Sequence, residues 1–396
     1  MAERTLPEAA WTAREDLAAL VAALGEGNAR YVGGAVRDTL LGRSVSDIDI
    51  ATPLLPDEVM ARLEAAGIRT VPTGLEHGTV TAVLEGGPVE ITTLRRDVET
   101  DGRRAVVAFS EDWREDAARR DFTINALYAD PATGAISDWF GGLEDLERGC
   151  VRFIGDAEQR IREDHLRILR YFRFAARFGE QTPHDASQKA CAELAPMLKG
   201  LSRERIGKEM LALLALPDPA PTVEQMAQLG VLKVILPEAA PARLAQLVAN
   251  ERREDVAPDA LRRLAALLPP DPALAQEIAS RFRLSNAQKK RLVLAAERGP
   301  QTEDPRSLAY RLGRTEAEDR LLLAGQSVAP LEDWDIPELP LKGGEIVARG
   351  VGAGPEVARI LQAVEGQWIA ESFPDRARTL AILESLIESE KTGRTR

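Results

Sequence analysis

The sequence predicts an α+β protein, with an N-terminal head built on a small mixed β-sheet followed by an all-helical remainder. Between residues 29 and 140, short strand-like runs alternate with turns and one helical stretch. From about residue 150 onward, apolar residues recur at helical spacing and strand signals nearly vanish. The length of 396 residues suits two or three domains with room for a core. Three are expected: a head over residues 1–150, a helical neck over 151–215, and a helical body and tail over 216–396.

In chain order, "RYVGG" (30–34), "SDIDIAT" (46–52), "HGTVTAVL" (77–84) and "PVEITTLR" (88–95) read as strands. "PDEVMARLEAAG" (56–67) reads as a helix, with Pro56 at its start and Gly67 as its stop. Pro-rich breaks at 217–221, 269–272 and 335–340 divide the helical remainder. Neither an internal repeat nor a long low-complexity segment is visible.

Composition narrows the class. The hydrophobic share of 44% and charged share of 29% are those of a soluble globular chain. Two cysteines, Cys150 and Cys191, lie far apart without metal-ligand spacing, which suits a reducing cytosol and excludes a disulfide framework. The N-terminal stretch is too charged for a signal peptide, and no apolar run reaches the roughly 20 residues a membrane span needs. A cytoplasmic location is expected. The net charge of −12 argues against broad nucleic-acid binding but leaves room for a local basic groove.

Within "GGAVRDTLLGRSVSDIDIAT" (33–52), Asp47 and Asp49 are two residues apart in a strand, so they share a face while Ile48 and Ile50 point to the core. Two like charges on one face are unfavourable unless a cation sits between them. Their oxygens suit Mg²⁺, as one ion or as a bridged pair about 3.5–4 Å apart. A lone Asp-x-Asp would read as a solvated edge strand; the neighbouring residues argue otherwise. Gly33 and Gly34 let backbone amides approach phosphate at a helix start, and Arg37 adds a cation. Together these residues read as a nucleotide triphosphate site. A Gly-x4-Gly-Lys loop is missing, and Pro355 spoils the "GVGAGP" stretch as a dinucleotide fingerprint, leaving a loop there.

A second basic element follows. Treated as one helix, residues 161–178 gather Ile161, Ile168, Leu169, Phe172, Ala175 and Ala176 on an apolar face. Arg170, Arg173 and Arg177 fall opposite, with Asp164 and Arg167 between. Residues 159–177 hold six arginines against two acids. A basic groove is therefore compatible with the acidic total.

"GGAVRDTLLGRSVSDIDIAT", "RRDFTINALYAD" (119–130) and "EDHLRILRYFRFAARFG" (163–179) resemble, in order and spacing, three motifs of class II tRNA nucleotidyltransferases, the family that also contains bacterial poly(A) polymerases. The resemblance is strong over about residues 29–215 and weak beyond. It implies a polymerase-β-type head followed by neck, body and tail. It assigns Asp47 and Asp49 to Mg²⁺, and Gly34, Arg37 and Arg120 to the incoming nucleotide. Asp121 and Asn125 would serve the ribose, and Glu90 is a weaker third carboxylate. Asp164 and Arg167 would read the base, with Arg170 and Arg173 holding that pair or meeting phosphate. A carboxylate and a guanidinium match the amine and ring acceptors of C and A, whereas G and U would leave them unpaired.

The implied reaction is attack of a tRNA 3′-OH on the α-phosphate of CTP or ATP, releasing pyrophosphate, with no RNA template. The charged segment "RRDVETDGRRAVVAFSEDWREDA" (95–117) has the position of the family's flexible loop for terminal A addition. It favours CCA addition over poly(A) addition, as does "GLEHGTVTAVL" (74–84). A non-catalytic RNA-binding protein with a degenerate head is the contrasting reading, opposed by the presence of Asp47, Asp49 and Arg120. Three histidines, His77, His165 and His184, are too few for the phosphohydrolase domain some members carry. His77 is expected to serve a turn, and Lys289, Lys290 and Arg291 to meet phosphate or solvent.

Overall fold

The computed structural model describes residues 4–101, 104–179, 184–297 and 304–393. Contacts divide it into two units, Met1–Ala239 and Ala240–Arg396.

In the first unit, α1 (Glu15–Leu24) precedes β1 (Arg30–Val32), α2 (Gly34–Leu40) and β2 (Ile48–Thr52). Then come α3 (Pro56–Ala65), β3 (Thr70–Gly74), β4 (Thr79–Leu84) and β5 (Gly87–Thr93). β6 (Arg95–Asp101), β7 (Arg104–Phe109), α4 (Trp113–Ala118), β8 (Leu127–Ala129) and β9 (Ile136–Asp138) complete the sheet region. The main sheet has seven strands in the order β3-β4-β5-β2-β1-β8-β9. It is mixed, as expected: β2 runs parallel to β5, and the other pairings are antiparallel. The four sequence-predicted strands correspond to β1, β2, β4 and β5, and α3 begins at Pro56 as its N1 position favours.

Segment 95–117 departs from the loop expected of it. β6 and β7 form a separate two-stranded antiparallel ribbon, and α4 follows. The backbone register runs from Arg95 opposite Phe109 to Asp101 opposite Arg104, with a shift between Asp97 and Glu99. Gly102 and Arg103 of this segment lie outside the described residues.

The helical part of this unit contains α5 (Gly142–Glu147), α6 (Ala157–Glu163), α7 (Arg167–Phe178), α8 (Asp185–Leu194), α9 (Arg203–Leu214), α10 (Ala220–Gln228) and α11 (Val231–Ile235). The stretch 161–178 is not one helix. It breaks at Asp164, which adopts extended angles (φ −149°, ψ 107°), and its Oδ1 accepts from the Leu166 amide at 3.1 Å. An Asp carboxylate competing for backbone amides starts the next helix. Ile161, Ile168, Leu169 and Phe172 are buried as the wheel required, but so are Tyr171, Phe174 and Phe178. The arginine face is therefore a packed face with rings between the guanidiniums.

The second unit is all helix: α12 (Pro241–Arg253), α13 (Ala260–Leu267), α14 (Pro272–Arg281), α15 (Asn286–Ala296), α16 (Pro305–Leu312), α17 (Arg314–Leu323), α18 (Gly343–Val347), α19 (Pro355–Ala370) and α20 (Arg376–Gly393). Arg291, expected to meet phosphate or solvent, is paired within the unit, with Nε 2.7 Å from Asp319 and Nη1 3.0 Å from Asp259. Among the described residues, no helix is long and apolar enough to cross a membrane.

Candidate active site

Asp49 sits mid-sheet, paired with Val32 of β1 on one side and Glu90 of β5 on the other. Ile48 and Ile50 are buried on the opposite face, as the two-residue period demands. Asp47 is exposed, one residue before β2, and accepts from Ser46 Oγ at 2.8 Å. Burial, then the charge of Glu90, raises the Asp49 carboxyl above its ordinary range; Arg120 opposes this and Asp47 adds to it. The sheet has therefore gathered carboxylates that repel one another and would be relieved by a cation.

These oxygen donors fit a hard divalent ion. Among the described residues, no group of three or more His, Cys, Asp or Glu side chains is arranged to hold a metal. Two carboxylates with phosphate and water completing the shell is the arrangement Mg²⁺ ordinarily accepts. Glu90, exposed beside Asp49, is an electrostatic neighbour in this arrangement.

The Val32 pairing brings the following glycines next to Asp49. Gly33 has φ 71°, ψ −122°, a conformation in which a Cβ is strained, and a Cβ there would lie 3.4 Å from Arg120 Nη1. Arg120 thus lies against the glycine turn, and its charge reaches Asp49. Its Nε donates to Tyr128 Oη at 2.9 Å and its Nη2 to Asp116 Oδ2 at 3.2 Å. Burial works against its charge, but Tyr128 and Asp116 outweigh that and hold it above its ordinary value.

Asp116 is the residue the sequence reading missed. It is 1% exposed and accepts from Tyr128 Oη (2.5 Å), Arg119 Nε (2.8 Å) and the Arg95 amide (3.1 Å). Burial raises its carboxyl, but Arg120 and Arg119 prevail and bring it down to about 2. Its position in α4, four residues before Arg120 just past the helix end, was the available signal. The stability Asp116 contributes is present above the ordinary carboxylate range and is lost as pH falls toward 2. Asp116→Asn is expected to cost about 2 kcal/mol, to weaken this acid dependence, and to raise KM for nucleotide through a misplaced Arg120. Acid unfolding and steady-state kinetics check this together.

Arg37 is 5% exposed, facing inward. Its Nε donates to Asp38 at 2.8 Å, its Nη1 donates to Asn125 Oδ1, and its guanidinium lies 4.2 Å from the Phe178 ring centroid. Gly34 is beside it, with a Cβ there 3.7 Å from Arg37 Nη2. Asn125 Nδ2 donates to Asp121 Oδ1 at 2.9 Å, and Arg170 Nε donates to Asp121 Oδ2 at 2.8 Å. Arg177 closes the chain on Asp38 at 3.3 Å. Asp121 and Asn125, expected at the ribose, are thus links between α2 and α7.

Asp164 and Arg167 occupy the α6–α7 break without bonding each other's side chains. Asp164 Oδ2 accepts from Arg205 of α9 at 2.7 Å. Arg167 donates to Glu163, to the Arg160 carbonyl at 2.9 Å and to the Arg119 carbonyl at 3.3 Å. Arg173 pairs with Glu209 at 2.7 Å. Residues 119–121 are the joint: the Arg119 carbonyl accepts from Arg167, the Arg120 charge acts on Asp49, and Asp121 accepts from Arg170. His77 ends a 3₁₀ turn and is exposed, its carbonyl accepting from Arg95.

Residues 29–152 match the family described as "Poly A polymerase head domain", and residues 182–243 match "Probable RNA and SrmB- binding site of polymerase A". A human mitochondrial CCA tRNA nucleotidyltransferase 1 is 36% identical over 359 residues, covering 86% of this chain and 82% of that protein. The CCA-adding enzyme of Geobacillus thermodenitrificans is 44% identical over 205 residues, 51% of this chain and 49% of its own. The crystal structure of the Bacillus stearothermophilus CCA-adding enzyme in complex with CTP superposes with a TM-score of 0.78 at 28% identity, covering 96% of this chain and 98% of that one. Its α+β architecture is the one found here, and nucleotidyltransferases of this kind are generally metal-dependent. With the carboxylate pair, the glycine turn and the likeness over most of both chains in hand, the chain belongs to the tRNA nucleotidyltransferase and poly(A) polymerase family.

Proposed function

We propose that this chain is a CCA-adding tRNA nucleotidyltransferase, extending tRNA 3′ ends with C, C and A from CTP and ATP and releasing pyrophosphate. The observation that carries it is that Arg120, against the Gly33 turn, acts electrostatically on Asp49 while Arg167 donates to the carbonyl of the neighbouring Arg119. Asp47 and Asp49 would hold Mg²⁺, which supplies activation of the attacking hydroxyl and charge stabilisation. Arg120, braced by Asp116, faces the phosphates beside Gly33 and Gly34. The polar network from Arg37 to Arg170 fixes α7 against α2, so the base-reading residues keep one distance from the reacting phosphate. Catalysis then rests on positioning and electrostatics, with no covalent intermediate.

Asp164 and Arg167 select the base. Asp164→Ala is expected to narrow the preference for CTP over UTP by about tenfold, since a lost charged acceptor removes roughly 1.5–3 kcal/mol of discrimination. Competition between the two nucleotides measures it. Arg170 and Arg173 hold this element through Asp121 and Glu209. The free thiols Cys150 and Cys191 suit a reducing compartment such as the cytoplasm; the family also has mitochondrial members.

The deciding experiment incubates the protein and Mg²⁺ with tRNA lacking CCA, given CTP, ATP or both, and sizes products to one nucleotide. Two additions with CTP and three with both are expected. A long ladder with ATP alone would make it a poly(A) polymerase, and no extension with intact tRNA binding would make it a binding protein.

A further inference from the structure

Three guanidiniums share the ring of Phe178: Arg37 of α2 at 4.2 Å from its centroid, and Arg43 and Arg177 at 5.0 Å each. Asp38 serves two of them, with Oδ1 on Arg37 and Oδ2 on Arg177. Arg43 donates to the Arg177 backbone carbonyl at 3.1 Å and, among the described residues, has no carboxylate partner. A chain of net charge −12 thus carries a local surplus of positive charge at this spot. Arg37 is buried, whereas Arg43 is exposed and the Arg177 side chain is 41% exposed.

We propose that Arg43 and Arg177, both against the Phe178 ring, bind a backbone phosphate of RNA at the outer edge of the candidate active site. The guanidinium fork matches a phosphodiester, and the ring holds both forks without neutralising them. α2 spans seven residues, so Arg43 lies on the order of 10 Å from the glycine turn where the triphosphate is placed. That separation favours the RNA strand over the incoming nucleotide. The inference rests on the tRNA reading above.

The test titrates tRNA lacking CCA against wild type, Arg43→Gln, Arg43→Lys and Arg177→Gln from about 50 to 200 mM salt. Arg43→Gln is expected to weaken binding about fivefold at the low end and to flatten the log–log salt slope by about 0.7–0.9, one phosphate contact. Arg43→Lys, keeping the charge, should retain the slope; Arg177→Gln should flatten it as Arg43→Gln does. Unchanged affinity and slope in Arg43→Gln would overturn the proposal. So would a lowered Tm with an unchanged slope, which assigns Arg43 to capping α7, or a raised KM for CTP with tRNA affinity intact, which assigns the site to the triphosphate. Wild type that binds no tRNA would overturn the tRNA reading as well, whereas CCA addition with an unaltered Arg43→Gln slope would overturn this inference alone.

Discussion

Asp49→Asn is expected to reduce nucleotide incorporation by about 10³-fold while raising the thermal stability of the metal-free protein. The two effects share one cause. Burial and the charges of Glu90 and Asp47 raise the Asp49 carboxyl, with Arg120 offsetting part of this. The folded state therefore binds this proton more tightly than the unfolded state, and stability falls as pH rises from the ordinary carboxylate range through the raised value. Asparagine removes that loss, so the variant should melt higher near neutral pH and lose part of the dependence. Asp47→Ala should also abolish incorporation and leave tRNA binding largely intact. Chelating the metal should silence wild type in the same way. Single-nucleotide product sizing and thermal melts across about pH 4–7 supply both readouts. Unchanged turnover in either variant would remove these carboxylates from the metal site.

Glu251→Ala is expected to destabilise the second unit by about 3–5 kcal/mol, lowering its unfolding midpoint in denaturant. Glu251 is 2% exposed, and its two oxygens accept from Arg262 Nε at 2.7 Å and Arg263 Nε at 2.8 Å. Both arginines are buried, at 3% and 1% exposure. Arg262 also reaches the Ala257 carbonyl at 2.6 Å and Asp319 at 3.4 Å, and Arg291 holds Asp319 from the other side. Removing one carboxylate leaves guanidinium charge in a dry interior, which costs more than the pair contributed. Glu251→Gln, which keeps the shape and hydrogen-bond acceptor, should lose less. An unaltered midpoint in Glu251→Ala would show that the network is dispensable.

Local pattern was enough for much of the head. The period-two alternation of Ile48, Asp49 and Ile50 placed a strand with its carboxylate off the core, because successive side chains must point to opposite faces. Pro56 and Gly67 bounded a helix for reasons internal to that segment. The residue types at Asp47, Asp49, Gly33 and Gly34 point to phosphate and metal chemistry from the sequence alone. The ribbon at 95–109 departs from the loop the sequence predicts, because its pairing of β6 with β7 is a contact between two segments that a polar composition does not announce.

What the sequence by itself determined was the chemistry available and the elements that carry it. Tertiary structure decided which charges are spent on each other. Arg37, Arg170, Arg173 and Arg291 look alike as cations, yet each is committed to a carboxylate from a segment remote in sequence or packed beside it. Asp116 and Arg120 are local partners four residues apart, but the Tyr128 hydroxyl that bonds both arrives only with β8. The wheel over 161–178 failed at Asp164 because a side chain that competes for backbone amides can end one helix and begin another. Burial and partner choice depend on distances between elements far apart in the chain, and those distances exist only once the sheet and helices have packed.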